Sequence, residues 1–261
     1  MTNKKTLIFD IDDTIFPLRE KWASLIVEDD VLKQYPMIER LKTFKDKNAI
    51  GVVNFITDYK FETFFEIDKP EDIQRMLDIY INDASMYDDN DYIGFARAVR
   101  NYIRHYGHNA NIVFLSHSLG GAVESSKIKY IERFMYHTLR GLPFDIKLTK
   151  SPEEKVTFLQ ENEWYMFCDD RLETVECLFE SIISRKSDDE LRGIKNVYKN
   201  KYICVPIYGY NFNKGRIDDL MVKSHLTNIS IDFFHHLTHL YSTEDLIMTK
   251  EKFINLHKEI Q

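Results

Sequence analysis

Acidic chemistry begins ten residues into the sequence: IFDIDDT places Asp10, Asp12, Asp13 and Thr14 directly after the apolar run TLIF. Ser116 follows a second apolar run, NIVFL, and Asp169-Asp170-Arg171 follows a third, WYMFC, with Lys155 in the segment leading into it. Gathered carboxylates repel one another and need a cation, and magnesium favours a site with few carboxylates, several waters and a phosphate oxygen. With that charge neutralised, one carboxylate can attack phosphorus and become phosphorylated. A second carboxylate can protonate the leaving oxygen and then activate the water that releases phosphate. A strand-end hydroxyl and a lysine ammonium suit the phosphoryl oxygens. Such a set fits a phosphate monoester.

These residues converge only if the elements beneath them form one sheet. Five short apolar runs read as buried strands: TLIF (6–9), NIVFL (111–115), FDIKL (144–148), WYMFC (164–168) and YICVPI (202–207). Helical patterns lie between them. In DYIGFARAVRNYIRHYG, Ile93, Ala96, Val99, Ile103 and Tyr106 share a face before Gly107; AVESSKIKYIERFMYHTLRG ends at Gly141; SPEEKVTFLQENE opens on a serine cap and a proline. Alternation of strand and helix predicts an α/β fold, a Rossmann-like parallel sheet covered by helices. Ligands of such sheets bind beyond the carboxyl ends of the strands, where the acids stand. Residues 17–106 exceed what a crossover needs and predict a helical cap subdomain inserted after the first strand. The core then comprises 1–16 and 107–215, and 216–261 reads as a helical C-terminal extension.

The segments IFDIDDTIF, VFLSHS, a lysine near a helix start, and FCDDRLETV resemble, in order, the four signature motifs of the haloacid dehalogenase (HAD)-like phosphatases. In layout the chain is most similar to 5′(3′)-deoxyribonucleotidases and class B acid phosphatases. The resemblance covers the sheet-forming parts and implies that Asp10 is the nucleophile and Asp12 the acid/base. It implies that Ser116 binds phosphate and that Lys155 pairs with Asp10 and the phosphate, with Lys150 as the competing lysine. Thr14 and His117 join them as substrate-binding positions, His117 through its backbone N–H. Magnesium would sit on Asp10, the carbonyl of Asp12, Asp169 and Asp170. The implied activity is a Mg2+-dependent phosphomonoesterase with an aspartyl-phosphate intermediate, acting on nucleoside monophosphates or a similar small phosphorylated metabolite. Asp13 stands where the usual motif has glycine, and it stays unassigned.

Other readings compete. SHSLGG resembles an esterase nucleophile elbow built on Ser118, but Ser116 occupies the place of the glycine that permits the sharp turn. That scheme also leaves Asp10-x-Asp12-x-Thr14 unused. A polynucleotide 3′-phosphatase shares the Asp-Asp-Arg segment, and a net charge of −7 weighs against a nucleic-acid partner. A non-catalytic binding protein of the same fold would have no reason to keep every acid. In FFHHLTHL, His235 and His239 could share a helical face, though without an acidic partner at metal-site spacing. Cys168, Cys177 and Cys204 have neither disulfide-framework nor metal-ligand spacing. The start has too short an apolar run for a signal peptide and no later run approaches a membrane span, so the expected location is cytoplasmic, without a membrane partner.

Overall fold

The computed structural model describes residues 4–46, 60–88, 94–184, 193, 197–208 and 213–235. Its centre is a six-stranded sheet, β1 (Lys5–Phe9), β2 (Ala110–His117), β3 (Phe144–Thr149), β4 (Met166–Cys168), β5 (Tyr202–Ile207) and β6 (Ser230–His235). Every pairing is parallel and the order is β3-β2-β1-β4-β5-β6. Strand β1 therefore lies between β2 and β4, at the point where the strand order reverses and crevices open in such sheets.

Both faces of the sheet are covered, which explains why its strands are continuous apolar runs. Successive residues of β1 point to opposite sides. Leu7 and Phe9 enter one buried cluster with Ile112 and Phe114, and Ile8 enters another with Val113 and Leu115. Helices α5 (Gly94–Tyr106) and α6 (Ala122–Thr138) close the first side, and α7 (Pro152–Glu161), α8 (Leu172–Ile183) and α9 (Lys214–Thr227) close the second.

The insert after β1 contains α1 (Leu18–Ile26), α2 (Pro36–Asp46), α3 (Phe61–Phe64) and α4 (Pro70–Ile81). Ala23, Ile26, Leu32, Ile38, Leu41, Phe61, Phe64, Phe65 and Met76 form a separate core. Helix α5 departs from the expected cap boundary at residue 106. Its Ala96, Val99 and Ile103 pack in the sheet's own cluster, so it serves as the crossover helix into β2.

The carboxyl-terminal expectation also needs correction. Helix α9 forms, but Asn228 adopts a left-handed conformation (φ 63°) that ends it, and residues 230–235 then pair with β5 as a strand. His235 closes that strand and so does not sit on a helix there; His239 lies outside the described residues. Among the described residues, no helix is long and apolar enough to cross a membrane.

Candidate active site

The carboxyl ends of β1 and β4 carry the acids. Asp10 follows β1 and donates its backbone N–H to the Cys168 carbonyl at 2.8 Å; Asp169 follows β4 and donates to the Cys204 carbonyl at 3.2 Å. Side-chain oxygens of Asp10, Asp169 and Asp170 lie within 4.8 Å of one another, and all three residues are buried. Burial raises the Asp169 carboxyl to about 6, opposed by the Lys155 charge and reinforced by that of Asp10. Such a buried trio of hard oxygen donors fits a magnesium ion, which takes few carboxylates and keeps other positions for water and phosphate.

Lys155 reaches this trio from the first turns of α7. Ser151 caps that helix, accepting from the Glu154 N–H at 3.3 Å, and Pro152 begins it. The Lys155 ammonium stands 2.8 Å from Asp169 Oδ2 and 3.0 Å from Asp10 Oδ1, fully enclosed. Its pKa is raised because the attraction of Asp10 and Asp169 outweighs the opposing cost of burial. Lys150 is exposed at the end of β3, so of the two lysines it is Lys155 that meets the acids.

Asp12 lines the same cleft, but its carboxylate is held by other partners than Lys155. Its Oδ2 accepts from Lys127 Nζ at 2.6 Å and its Oδ1 from the Tyr87 hydroxyl at 2.5 Å. Lys127, on α6, also donates to the His117 carbonyl at 2.5 Å and to Ser116 Oγ at 3.3 Å. Neither Lys127 nor Tyr87 was anticipated from the sequence. A signal existed for the lysine, because position 127 falls on the apolar stripe made by Val123, Tyr130, Ile131 and Phe134. A lysine there must either snorkel or find a buried counter-charge.

Two expected substrate contacts are not at the surface of the cleft. Thr14 is wholly buried, with no hydrogen-bond partner for its hydroxyl among the described residues, and Ser116 lies beneath Asp12 beside Lys127. The loop that follows β1 turns back on itself, with Asp13 N–H bonded to the Phe16 carbonyl and Phe16 N–H to the Ile11 carbonyl, and this tucks Thr14 inward. His117 does line the cleft. Burial and the neighbouring charges of Lys127, Arg171 and Lys155 lower its pKa.

Asp13, left unassigned by sequence, takes a left-handed backbone conformation (φ 51°) and pairs with Arg19 of α1 at 3.3 Å. Burial raises its carboxyl to about 7 despite that partner. Tyr208, after β5, donates its hydroxyl to the Asp13 carbonyl. The cleft over these residues has a cavity volume of about 120 Å³. Asp10, Asp12, Lys155 and Asp170 line it on the sheet side, and Leu18, Arg19, Trp22 and Tyr80 line it from the insert.

Ser118 is tied into the turn before α6. Its hydroxyl donates to Glu124 at 2.9 Å and accepts from the Gly120 N–H at 3.2 Å, fixing the turn into α6. Gly121 in that turn has φ 76°, and a Cβ there would fall 2.7 Å from the Ile81 carbonyl at the end of α4. The double glycine thus lets the turn approach the insert.

No protein-family sequence model matches the chain, and no curated protein matches it either. Among solved structures, the chain is similar to a protein of Burkholderia xenovorans described as a haloacid dehalogenase-like hydrolase. The identity is 15%, with 98% of this chain and 95% of that one covered and a TM-score of 0.42. It is also similar to YfnB of Bacillus subtilis, described as a HAD-hydrolase bound to magnesium, at 15% identity with 87% of each chain covered and a TM-score of 0.37. Strand β1 is central in the sheet, and the acids at the ends of β1 and β4 gather around one lysine, Lys155.

Proposed function

We propose that the protein is a magnesium-dependent phosphomonoesterase that works through a phosphorylated Asp10. The observation that carries this reading is the enclosed bridge of Lys155 between Asp10 and Asp169, with Asp170 beside them. Asp10, Asp169, Asp170 and the Asp12 carbonyl would hold the ion, which when bound offsets the negative charge of the acids and of the phosphoryl group. Asp10 attacks phosphorus while Lys155 balances the charge that gathers on the phosphoryl oxygens. Asp12 gives a proton to the departing oxygen, then takes one from the water that displaces phosphate from Asp10. Ser116, buried beneath Asp12, acts through that carboxylate and not by direct reach into the cleft.

For the substrate, the reading is a nucleoside monophosphate or a similarly small phosphorylated metabolite. Trp22 and Tyr80 line the cleft with ring centroids 5.2 Å apart and offer flat apolar surface to a base. A cavity of about 120 Å³ suits the phosphoryl end of such a substrate. A polynucleotide needs an extended cationic track, whereas this cleft mixes Arg19, Lys155 and Arg171 with four aspartates and the apolar Leu18, Trp22, Tyr80 and Leu119.

Phosphate release from nucleoside monophosphates, sugar phosphates and 3′-phosphorylated oligonucleotides tests the proposal, with and without Mg2+. The expected result is turnover that needs Mg2+ and is absent in Asp10→Asn. Full turnover by Asp10→Asn removes the nucleophile, and activity confined to sugar phosphates removes the nucleotide assignment.

A further inference from the structure

Lys127 is wholly enclosed, and it meets the Asp12 carboxylate at 2.6 Å as its counter-charge. Apolar neighbours on α6 already do the packing: Val123, Tyr130, Ile131 and Phe134 are buried in the sheet's cluster. A buried ammonium adds little net stability over a well-packed apolar side chain of similar volume. Fixing a neighbour in one orientation is a thing the ammonium can do and an apolar side chain cannot.

The same helix organises everything around Asp12. Ser126 Oγ accepts from the Tyr87 N–H at 3.0 Å, Arg133 donates to the Tyr87 carbonyl at 2.5 Å, and Tyr130 donates its hydroxyl to the Ile15 carbonyl at 3.0 Å. Residues 126, 127, 130 and 133 form one stripe of the helix. One rigid element therefore holds both donors to Asp12, Lys127 directly and Tyr87 by its backbone, together with the loop that bears Asp12. Both carboxylate oxygens are fixed, while 19% of the Asp12 side chain stays exposed.

We infer that Lys127, with Tyr87, is the positioning residue that aims the Asp12 carboxylate at the oxygen leaving phosphorus; this rests on the phosphatase reading. In the first half-reaction the bond from phosphorus to the leaving oxygen breaks as the bond to Asp10 forms; Asp12 enters this step as the protonated acid, gives its proton to the leaving oxygen and is left as the carboxylate that pairs with Lys127. Aim matters most when that oxygen departs as an alkoxide, and least when it departs as a stable phenolate.

The test compares kcat/KM, which ends with phosphoryl transfer to Asp10, for a nucleoside 5′-monophosphate and for p-nitrophenyl phosphate. In Lys127→Met the nucleotide value should fall about 100-fold, the scale of general acid catalysis, and the nitrophenyl value by less than about 10-fold. Lys127→Arg should recover about 10-fold of the nucleotide loss, since it returns a charged donor. Tyr87→Phe removes only a hydroxyl and serves if the methionine variant does not fold; it too should cost the nucleotide several-fold more than the nitrophenyl ester. Equal losses on both substrates, or none on either, overturn the inference. Absence of turnover by the wild type, or full turnover by Asp10→Asn, overturns the phosphatase reading and the inference with it, and is seen before any Lys127 variant is compared.

Discussion

Lys155 bridges Asp10 and Asp169, 3.0 Å from one carboxylate and 2.8 Å from the other, with all three side chains at most 3% exposed. Each acid follows a different strand, so the lysine joins the ends of β1 and β4 from a third element. Lys155→Met leaves two enclosed carboxylates facing each other without a cation. Breaking a buried pair in this way costs about 3–5 kcal/mol, and the melting temperature in EDTA should fall accordingly. Added Mg2+ supplies the missing charge and should recover part of the loss while turnover stays at least about 100-fold down. Equal melting temperatures for the variant and the wild type in EDTA would show that the bridge does not form.

How far the sequence alone reveals this arrangement depends on the range of the interactions involved. Strands β1, β2, β4 and β5 are legible because burial on both faces demands unbroken apolar runs. The ends of those runs locate Asp10, Ser116 and Asp169, and the serine cap with proline locates Lys155 at the start of α7. Strand β6 falls where the sequence reads as helix. Its signal, Ile229 and Ile231 buried with a period of two after a left-handed Asn228, is short and sits before a histidine-rich stretch. Lys127 is a subtler case. Helical periodicity puts it on the buried stripe while Lys129 is exposed, but that stripe does not say that Asp12 waits beneath it. The Thr14 placement depends on a loop closing on itself through backbone bonds, which no side-chain pattern announces.

Asp13 should make stability depend on pH. Its folded-state pKa of about 7 lies above the ordinary 3.8, mainly through burial. The native state therefore keeps a proton that the unfolded chain has released between those values. This contribution is fully present below 3.8 and is lost as pH rises through about 7. In EDTA, the melting temperature should fall between about pH 5 and about pH 8, and Asp13→Asn should reduce that slope. The asparagine tolerates the left-handed backbone, and above about pH 7 it leaves the buried Arg19 without the carboxylate that faces it, which lowers stability there. Thermal melts across the range separate the two effects. An identical slope in both proteins would mean that Asp13 does not titrate there.

Two adjacent glycines distinguish backbone strain from steric collision. Gly120 and Gly121 have φ of 82° and 76°, so alanine is strained at both. At Gly120 no described residue lies within 4 Å of an added Cβ, whereas at Gly121 the Cβ would meet Ile81 Cγ2 at 2.5 Å and its carbonyl at 2.7 Å. Gly120→Ala should cost about 1 kcal/mol from strain alone. Gly121→Ala adds a clash with the backbone at the end of α4 and should cost about 3 kcal/mol or push the insert away from the sheet. Denaturant melts of both variants check the order, and a larger loss at Gly120 would contradict the close approach of α4.

Ser118→Ala tests the esterase alternative where it is strongest. In the structure the Ser118 hydroxyl links Glu124 to the Gly120 N–H, and the side chain is 6% exposed. Removing it should cost about 1 kcal/mol, the usual worth of a hydrogen bond of this kind. Phosphate release should continue at close to the wild-type rate, because no step of the proposed chemistry passes through that oxygen. Steady-state rates with a phosphate ester and with a carboxylic ester, measured with and without EDTA, decide the matter. Loss of carboxylic-ester hydrolysis in Ser118→Ala, together with indifference to EDTA in the wild type, would transfer the reaction from the β1–β4 acids to the turn before α6.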